Sequence, residues 1–205
     1  LPLMSSTEAR VRKLRPIYDA IEAYNFKGAI KLASRKDLQG NPIAKILKAH
    51  ALHRIGREDE AVPLIREVES LEPTDEAILD PMLAFYRIAA RFDDAARLLE
   101  RAHAKRPDDE WISAKLCHAY FNQDAFKKMQ LQAMKLFKAA RNPRYLLWSA
   151  VAVAMQAPGT APGRVLDLAT MTLEKAFSDD ACVRGEAVRF YLSLLERQQR
   201  LDKLL

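Results

Sequence analysis

Apolar positions along this chain recur at the spacing of one helical face, segment after segment. Ile43, Ile46, Leu47, Ala51, Leu52 and Ile55 form one stripe, and Ala61, Leu64, Ile65 and Val68 form the next. Steps of three and four residues keep side chains on one side of a helix. Ile78, Met82, Phe85 and Tyr86 are followed in the same way by Ala95, Leu98, Leu99 and Ala102. Trp111, Ala114, Leu116, Cys117 and Tyr120 are then followed by Phe126, Met129, Ala133, Leu136 and Phe137. The pattern predicts helix after helix, and it lacks the alternation of strands.

The stripes return at an interval of 34 residues. Leu52, Tyr86 and Tyr120 fall in one register, Ala61, Ala95 and Met129 in a second, and Ile65, Leu99 and Ala133 in a third. Pro73 and Pro107 keep the same interval. Thirty-four residues is the period of tetratricopeptide helical hairpins, which share a core by stacking because no single helix can bury its stripe alone. The fold class expected is all-α, with tetratricopeptide-like hairpins stacked in a right-handed superhelical solenoid. The repeat core expected is Leu52, Ala61, Ile65, Tyr86, Ala95, Leu99, Tyr120 and Met129. One array is expected over residues 1–205, with approximate repeats at 10–40, 41–73, 74–107, 108–142 and 143–178 and an incomplete one at 179–205. Ending within a hairpin suggests part of a longer scaffold.

Turn and breaker residues refine the boundaries. The first helix reads from about Glu8 to Tyr24, with Pro16 well inside it, and the apolar face of Ile17, Ala20, Ile21 and Tyr24 favours a regular start near Arg15. Its partner reads as Phe26 to Lys36. Gly56 suits a left-handed helix end. Pro63 is expected to be tolerated near a first turn, whereas Pro81 should bend or delay its helix. Thr74 is the expected cap of the third hairpin, Arg91 to Asp94 its internal turn, and Asn122 to Asp124 the turn of the fourth. The stretch 157–163, with two prolines and two glycines, reads as an enlarged hairpin loop between two helices. A sixth first helix is expected over Asp180 to Arg197.

Charge adds a second pattern. The net charge is +6. From Trp111 to Ala150, Lys115, Lys127, Lys128, Lys135, Lys138, Arg141 and Arg144 face a single acid, Asp124. Cations and acids balance elsewhere. Lys127, Lys128, Lys135, Lys138, Arg141 and Arg144 are therefore the candidate electrostatic contact surface, suited to an acidic protein, RNA or a polyphosphate. A solvated face is the equal alternative. Trp111, Tyr120, Tyr145 and Trp148 flank these charges and suit packing between repeats better than base stacking.

Catalytic chemistry is hard to find. The glycines form no phosphate-binding loop. His50 and His53 lack the usual metal-pair spacing, and His103 and His118 are isolated. Asp93, Asp94, Asp108, Asp109 and Glu110 sit where acids favour helix starts. Cys117 and Cys182 read as separate buried thiols. No apolar run approaches membrane-spanning length, and the start resembles no secretion signal. Catalytic residues, metal and cofactor are all expected to be absent from this chain.

Several segments go beyond what a generic repeat requires: Arg12-Lys13-Leu14-Arg15-Pro16-Ile17-Tyr18-Asp19, Ala44-Lys45-Ile46-Leu47-Lys48-Ala49, Leu71-Glu72-Pro73-Thr74-Asp75, Phe126-Lys127-Lys128-Met129-Gln130, Asn142 to Ser149, and Met155-Gln156. With these, the chain from about Arg12 onward resembles the N-terminal part of the auxiliary subunits of NatB N-terminal acetyltransferase complexes. The resemblance implies a cytoplasmic, non-catalytic repeat scaffold in a heterodimer with a GNAT-type catalytic subunit. That partner would use acetyl-CoA to modify nascent chains beginning Met-Asp, Met-Glu, Met-Asn or Met-Gln. Contact with the ribosome or ribosomal RNA is a further expectation; membrane and metal are not expected. The alternatives are an auxiliary subunit of a NatA-like complex and a general repeat adaptor. A carboxylate-clamp adaptor is disfavoured by Ile46, His50, Asp80, Pro81 and Ala84 at the inner-helix positions where Lys and Asn would be needed.

Overall fold

The structure is a computed structural model, described here over residues 6–156, 164–178 and 185–197. All the elements among these residues are helical. They are α1 (Ser6–Glu22), α2 (Phe26–Ala33), a single 3₁₀ turn (Lys36–Leu38), α3 (Pro42–Arg54), α4 (Glu58–Glu69), α5 (Glu76–Ile88) and α6 (Phe92–Lys105). Then follow α7 (Glu110–Asn122), α8 (Phe126–Ala140), α9 (Pro143–Met155), α10 (Arg164–Ser178) and α11 (Gly185–Arg197). The helices form the successive hairpins of a tetratricopeptide fold. Two compact units divide the chain, residues 1–105 and 106–205.

In the first unit α3 is central, packing against α1, α2, α4 and α5. Leu14 and Ile17 of α1, Ala29 and Ala33 of α2, Leu38, and Ala44, Leu47 and Ala51 of α3 close one cluster. Alanine at these crossings lets helix backbones approach. In the second unit α9 packs against both α8 and α10, and α10 against α11. Ala150, Val153 and Ala154 meet Leu166, Ala169, Leu173 and Leu194 there. Leu52, Ala61, Ile65, Tyr86, Ala95, Leu99, Tyr120 and Met129 are all buried, at most 8% exposed. Burying a leucine or isoleucine side chain stabilises by roughly 1.5–3 kcal/mol, so these registers carry much of the folding free energy.

A device invisible in the apolar pattern also keeps the period. Asn41, Asp75, Asp109 and Asn142 each cap the first helix of a hairpin, their side-chain oxygens accepting from amides at the helix start. Each satisfies donors that lack intrahelical partners. The turns inside the hairpins repeat as well. Gly56, Ala90 and Asp124 all have positive φ, at 79°, 53° and 54°. The following amide closes each turn, Arg57 N–H donating to Leu52 C=O (2.9 Å), Arg91 to Tyr86 (2.8 Å) and Ala125 to Tyr120 (2.9 Å).

Several sequence expectations need correction. α1 runs unbroken from Ser6 through Pro16, so its regular start is not near Arg15. Pro63 is the sixth residue of α4, beyond the four free amides, and Pro81 holds the same place in α5 without interrupting it. Pro16 and Pro63 are exposed and Pro81 half-buried, flanks on which water can reach a freed carbonyl. Asp75, not Thr74, caps α5, its Oδ1 accepting from Ala77 N–H at 3.0 Å. Phe92, Asp93 and Asp94 already belong to α6, because left-handed Ala90 completes the turn earlier. α2 ends at Ala33, three residues short of its expected end, and a 3₁₀ turn starts at Lys36. The loop at 157–163, Cys182, the start expected at Asp180 and the stretch 201–205 lie outside the described residues.

Candidate functional site

α8 carries no acid and four of the six candidate cations. Its buried side is Met129, Gln132, Ala133, Leu136 and Phe137. Lys127, Lys135 and Lys138 consequently share the opposite, exposed stripe with Leu131, which is 59% exposed. The other three cations diverge from it. Lys128 turns its ammonium over Tyr120, 5.2 Å from the ring centroid. Arg141 caps the end of α8 in left-handed conformation. Arg144, on α9, lies 4.8 Å over the Trp148 ring. The structure thus gathers Lys127, Lys135 and Lys138 on one face and distributes the rest.

This stripe is electrostatically unfavourable to the isolated fold. Lys127 stands in the first turn, where the helix dipole favours anions. Lys135 and Lys138 are like charges one turn apart. Among the described residues, Lys127, Lys135, Lys138, Arg141 and Arg144 form no ion pair with an acid. The first unit behaves differently. Several of its cations are matched, as in Lys45–Glu67, Arg101–Glu69 (3.6 Å), Lys105–Glu72 (2.5 Å) and Arg91–Asp94 (2.5 Å). Tyr86 also donates to Glu69, and Tyr191 to Glu174 at 2.9 Å, fastening a helix to the one before it.

The remaining candidate chemistry resolves into structure. Asp94 binds Arg91 and Arg97, and Asp109 caps α7 while pairing with Arg106 at 2.8 Å. Cys117 is fully buried, and burial pushes its thiol up to about 12, far from a reactive thiolate. His50 is held below the ordinary imidazole range by burial, with Arg54 and His53 adding to it; partial desolvation, with Arg144 and Lys115 adding to it, does the same to His118, which keeps an exposed edge. Neither is poised as a cationic acid. Among the described residues no three His, Cys, Asp or Glu side chains are placed to hold a metal, and no helix is long and apolar enough to cross a membrane. Trp111 and Trp148 are half-buried, each with a cation over its ring.

Capped hairpins with a left-handed turn, a shared apolar core and a charged outer stripe define a tetratricopeptide-type interaction protein. The family model for the N-terminal TPR-repeat region of Psidin matches residues 11–205, and the chain belongs to that family. It is 35% identical to the rat protein named N-alpha-acetyltransferase 25, NatB auxiliary subunit, over 93% of this chain and 21% of that protein. The human protein of the same name gives the same figures. The Phagocyte signaling-impaired protein of Aedes aegypti is 29% identical over 94% of this chain and 22% of its own length. The chain therefore spans about a fifth of the curated relatives it matches. Among solved structures, Naa15/Naa10 bound to HypK-THB aligns with a TM-score of 0.61 at 16% identity, over 94% of this chain and 30% of that one. A MamA structure aligns at 0.52, with 15% identity and coverage of 89% and 98%. Both likenesses concern the fold.

Proposed function

We propose that this chain is an N-terminal arm of a NatB auxiliary subunit, a scaffold that performs no chemistry itself. The observation that carries the reading is 35% identity to two mammalian proteins named as NatB auxiliary subunits, extending over 93% of the chain. In this reading a GNAT-type subunit pairs with the parent protein as a heterodimer in the cytoplasm. That subunit binds acetyl-CoA and acetylates nascent Met-Asp, Met-Glu, Met-Asn and Met-Gln termini. The buried thiol and the engaged aspartates support a positional role for this chain. The array is read as one series of repeats at 10–40, 41–73, 74–107, 108–142 and 143–178, continued from 179. The test is affinity recovery with the full parent chain as bait, followed by acetyl transfer to Met-Asp and Ser-Ala peptides. Stoichiometric recovery of one acetyltransferase that prefers Met-Asp is expected. Preference for Ser-Ala would indicate a NatA-like assembly, and recovery of none would refute the scaffold reading in favour of a general adaptor.

The α8 stripe is assigned to ribosomal RNA in the same reading. Three cations on one exposed face, without acids on their helix, suit a phosphate backbone. Replacing Lys127, Lys135 and Lys138 with glutamate should weaken ribosome co-sedimentation and lower the salt dependence of log K by about 2 to 3, since each lost phosphate contact removes roughly 0.7–0.9. An unchanged salt slope in a folded variant would remove the assignment.

A further inference from the structure

The second unit holds another positive surface, built from different residues. On α7, Trp111, Lys115 and His118 follow at four- and three-residue steps, and on α9 Arg144 and Trp148 are four apart. α7 and α9 lie side by side here, joined by the Tyr145 hydroxyl donating to Glu110 and by the His118 ring 4.6 Å from Trp148 at 65°. Lys115 Nζ stands 4.9 Å over Trp111, and the Arg144 guanidinium 4.8 Å over Trp148. The Tyr145 ring stands 5.2 Å from that of Trp148, at 71°. The result is a strip in which aromatic rings hold cations in place across two helices. Of the acids at this end of α7, Glu110 is engaged with Tyr145 and Asp109 with Arg106, and Asp108 is exposed just before them.

We infer that the α7–α9 strip is a docking surface for an acidic, extended peptide segment whose carboxylates meet Lys115, Arg144 and His118. Charge complementarity sets the sign of the occupant. Stacking favours its class: each tryptophan is half-buried with a cation already over its ring, which leaves less ring face for a nucleobase. What the strip offers instead is positive charge ordered by cation–π contact, with the planar guanidinium able to receive a carboxylate on two N–H groups. Alternate residues of an extended chain project about 7 Å apart on one side. Packed helices lie about 8–10 Å apart. Acids at alternate positions can therefore meet cations on both helices. His118 reports the field: besides partial desolvation, Arg144 of α9 and Lys115 of its own helix both disfavour its protonation. A bound carboxylate would reverse that influence.

The strip is separate from the α8 stripe, and its test does not depend on which acetyltransferase the parent protein serves. Both tryptophans of the chain lie in it, so intrinsic tryptophan fluorescence observes this surface alone. The purified chain is titrated with a capped Asp-Gly repeat peptide, its Asn-Gly counterpart and an oligouridylate. The His118 titration is followed by NMR. The Asp-Gly peptide should change the fluorescence and raise the His118 midpoint, while the Asn-Gly peptide does neither. The double change K115Q/R144Q, with helicity retained, should weaken binding about fivefold or more, as the loss of two partly exposed ion pairs implies. Should that variant fail to fold, the His118 midpoint of the unaltered chain decides. Equal responses to the Asp-Gly and Asn-Gly peptides, or an unmoved His118, would overturn the proposal. A response to oligouridylate alone would overturn it in favour of nucleic acid.

Discussion

Ala90 occupies a backbone conformation made for glycine, and replacing it tests how the hairpin turns are stabilised. It takes φ 53° at the turn between α5 and α6, where Gly56 takes 79° between α3 and α4. An L residue in this region costs about 1–2 kcal/mol. Glycine gives back roughly 0.4–1 kcal/mol of that through the larger entropy of its unfolded chain. Ala90 is exposed, so its methyl group contributes little packing. Ala90→Gly should therefore stabilise the fold by about 0.5–1 kcal/mol. Gly56→Ala should destabilise it by a similar amount, because a Cβ there meets no atom within 4 Å and only the backbone conformation is penalised. Urea unfolding with an unchanged slope measures both, and the two midpoints should move in opposite directions. Movement of both variants in the same direction, or a loss of stability in Ala90→Gly, would refute the reasoning.

Two further outcomes follow from local geometry. Asn25 caps α2 by accepting from Gly28 N–H at 3.0 Å, and a Cβ on Gly28 would fall 2.5 Å from the Asn25 amide nitrogen. Gly28→Ala should displace the cap at a cost of about 1 kcal/mol, which cancels the roughly 0.8–1 kcal/mol that alanine gains as the better helix former, so the urea midpoint should barely move; a gain of that full size would show that the cap is dispensable. His50 and His118 are held below 6.5, so the unfolded chain takes up protons first as pH falls. Their contribution is present above 6.5 and is lost as pH falls through that value towards their folded-state pKa values. Urea midpoints should drop between about pH 7.5 and 5.5, and H50Q/H118Q should flatten the drop, whereas an unchanged pH profile would exclude the histidines as its source.

The repeat and its buried registers could be read from residues, because burial imposes the 3.6-residue period on composition. Leu52, Tyr86 and Tyr120 announce themselves as large apolar side chains at a fixed interval. The capping ladder was also present in the sequence: Asn41, Asp75, Asp109 and Asn142 keep nearly the same interval. Thr74 beside Asp75 obscured it, since either residue can cap and only the backbone conformation selects one. The left-handed turns were legible only at Gly56. Alanine and aspartate fill the same position in the next two hairpins, held there by hydrogen bonds from residues that reveal nothing by type. Pro81 misled for a related reason, whereas Pro63 was expected to be tolerated and is, though not from a first-turn position. Pro63 and Pro81 break local rules, and their helices persist because packing along the rest of each helix outweighs one missing hydrogen bond.

Sequence alone determined the all-α repeat class, the excess of positive charge between Trp111 and Ala150, and the family resemblance, since period, charge and local identity are properties of the chain itself. Tertiary structure decided how the charge is divided. Lys127, Lys135 and Lys138 form an outer stripe because Met129, Ala133, Leu136 and Phe137 turn the opposite side of α8 into the core. Lys115 and Arg144 are drawn onto Trp111 and Trp148. His118 and Trp148 are 30 positions apart and meet only because α7 and α9 lie alongside each other. One run of cations in the sequence thereby becomes two surfaces, because packing, not order along the chain, fixes which way each side chain faces.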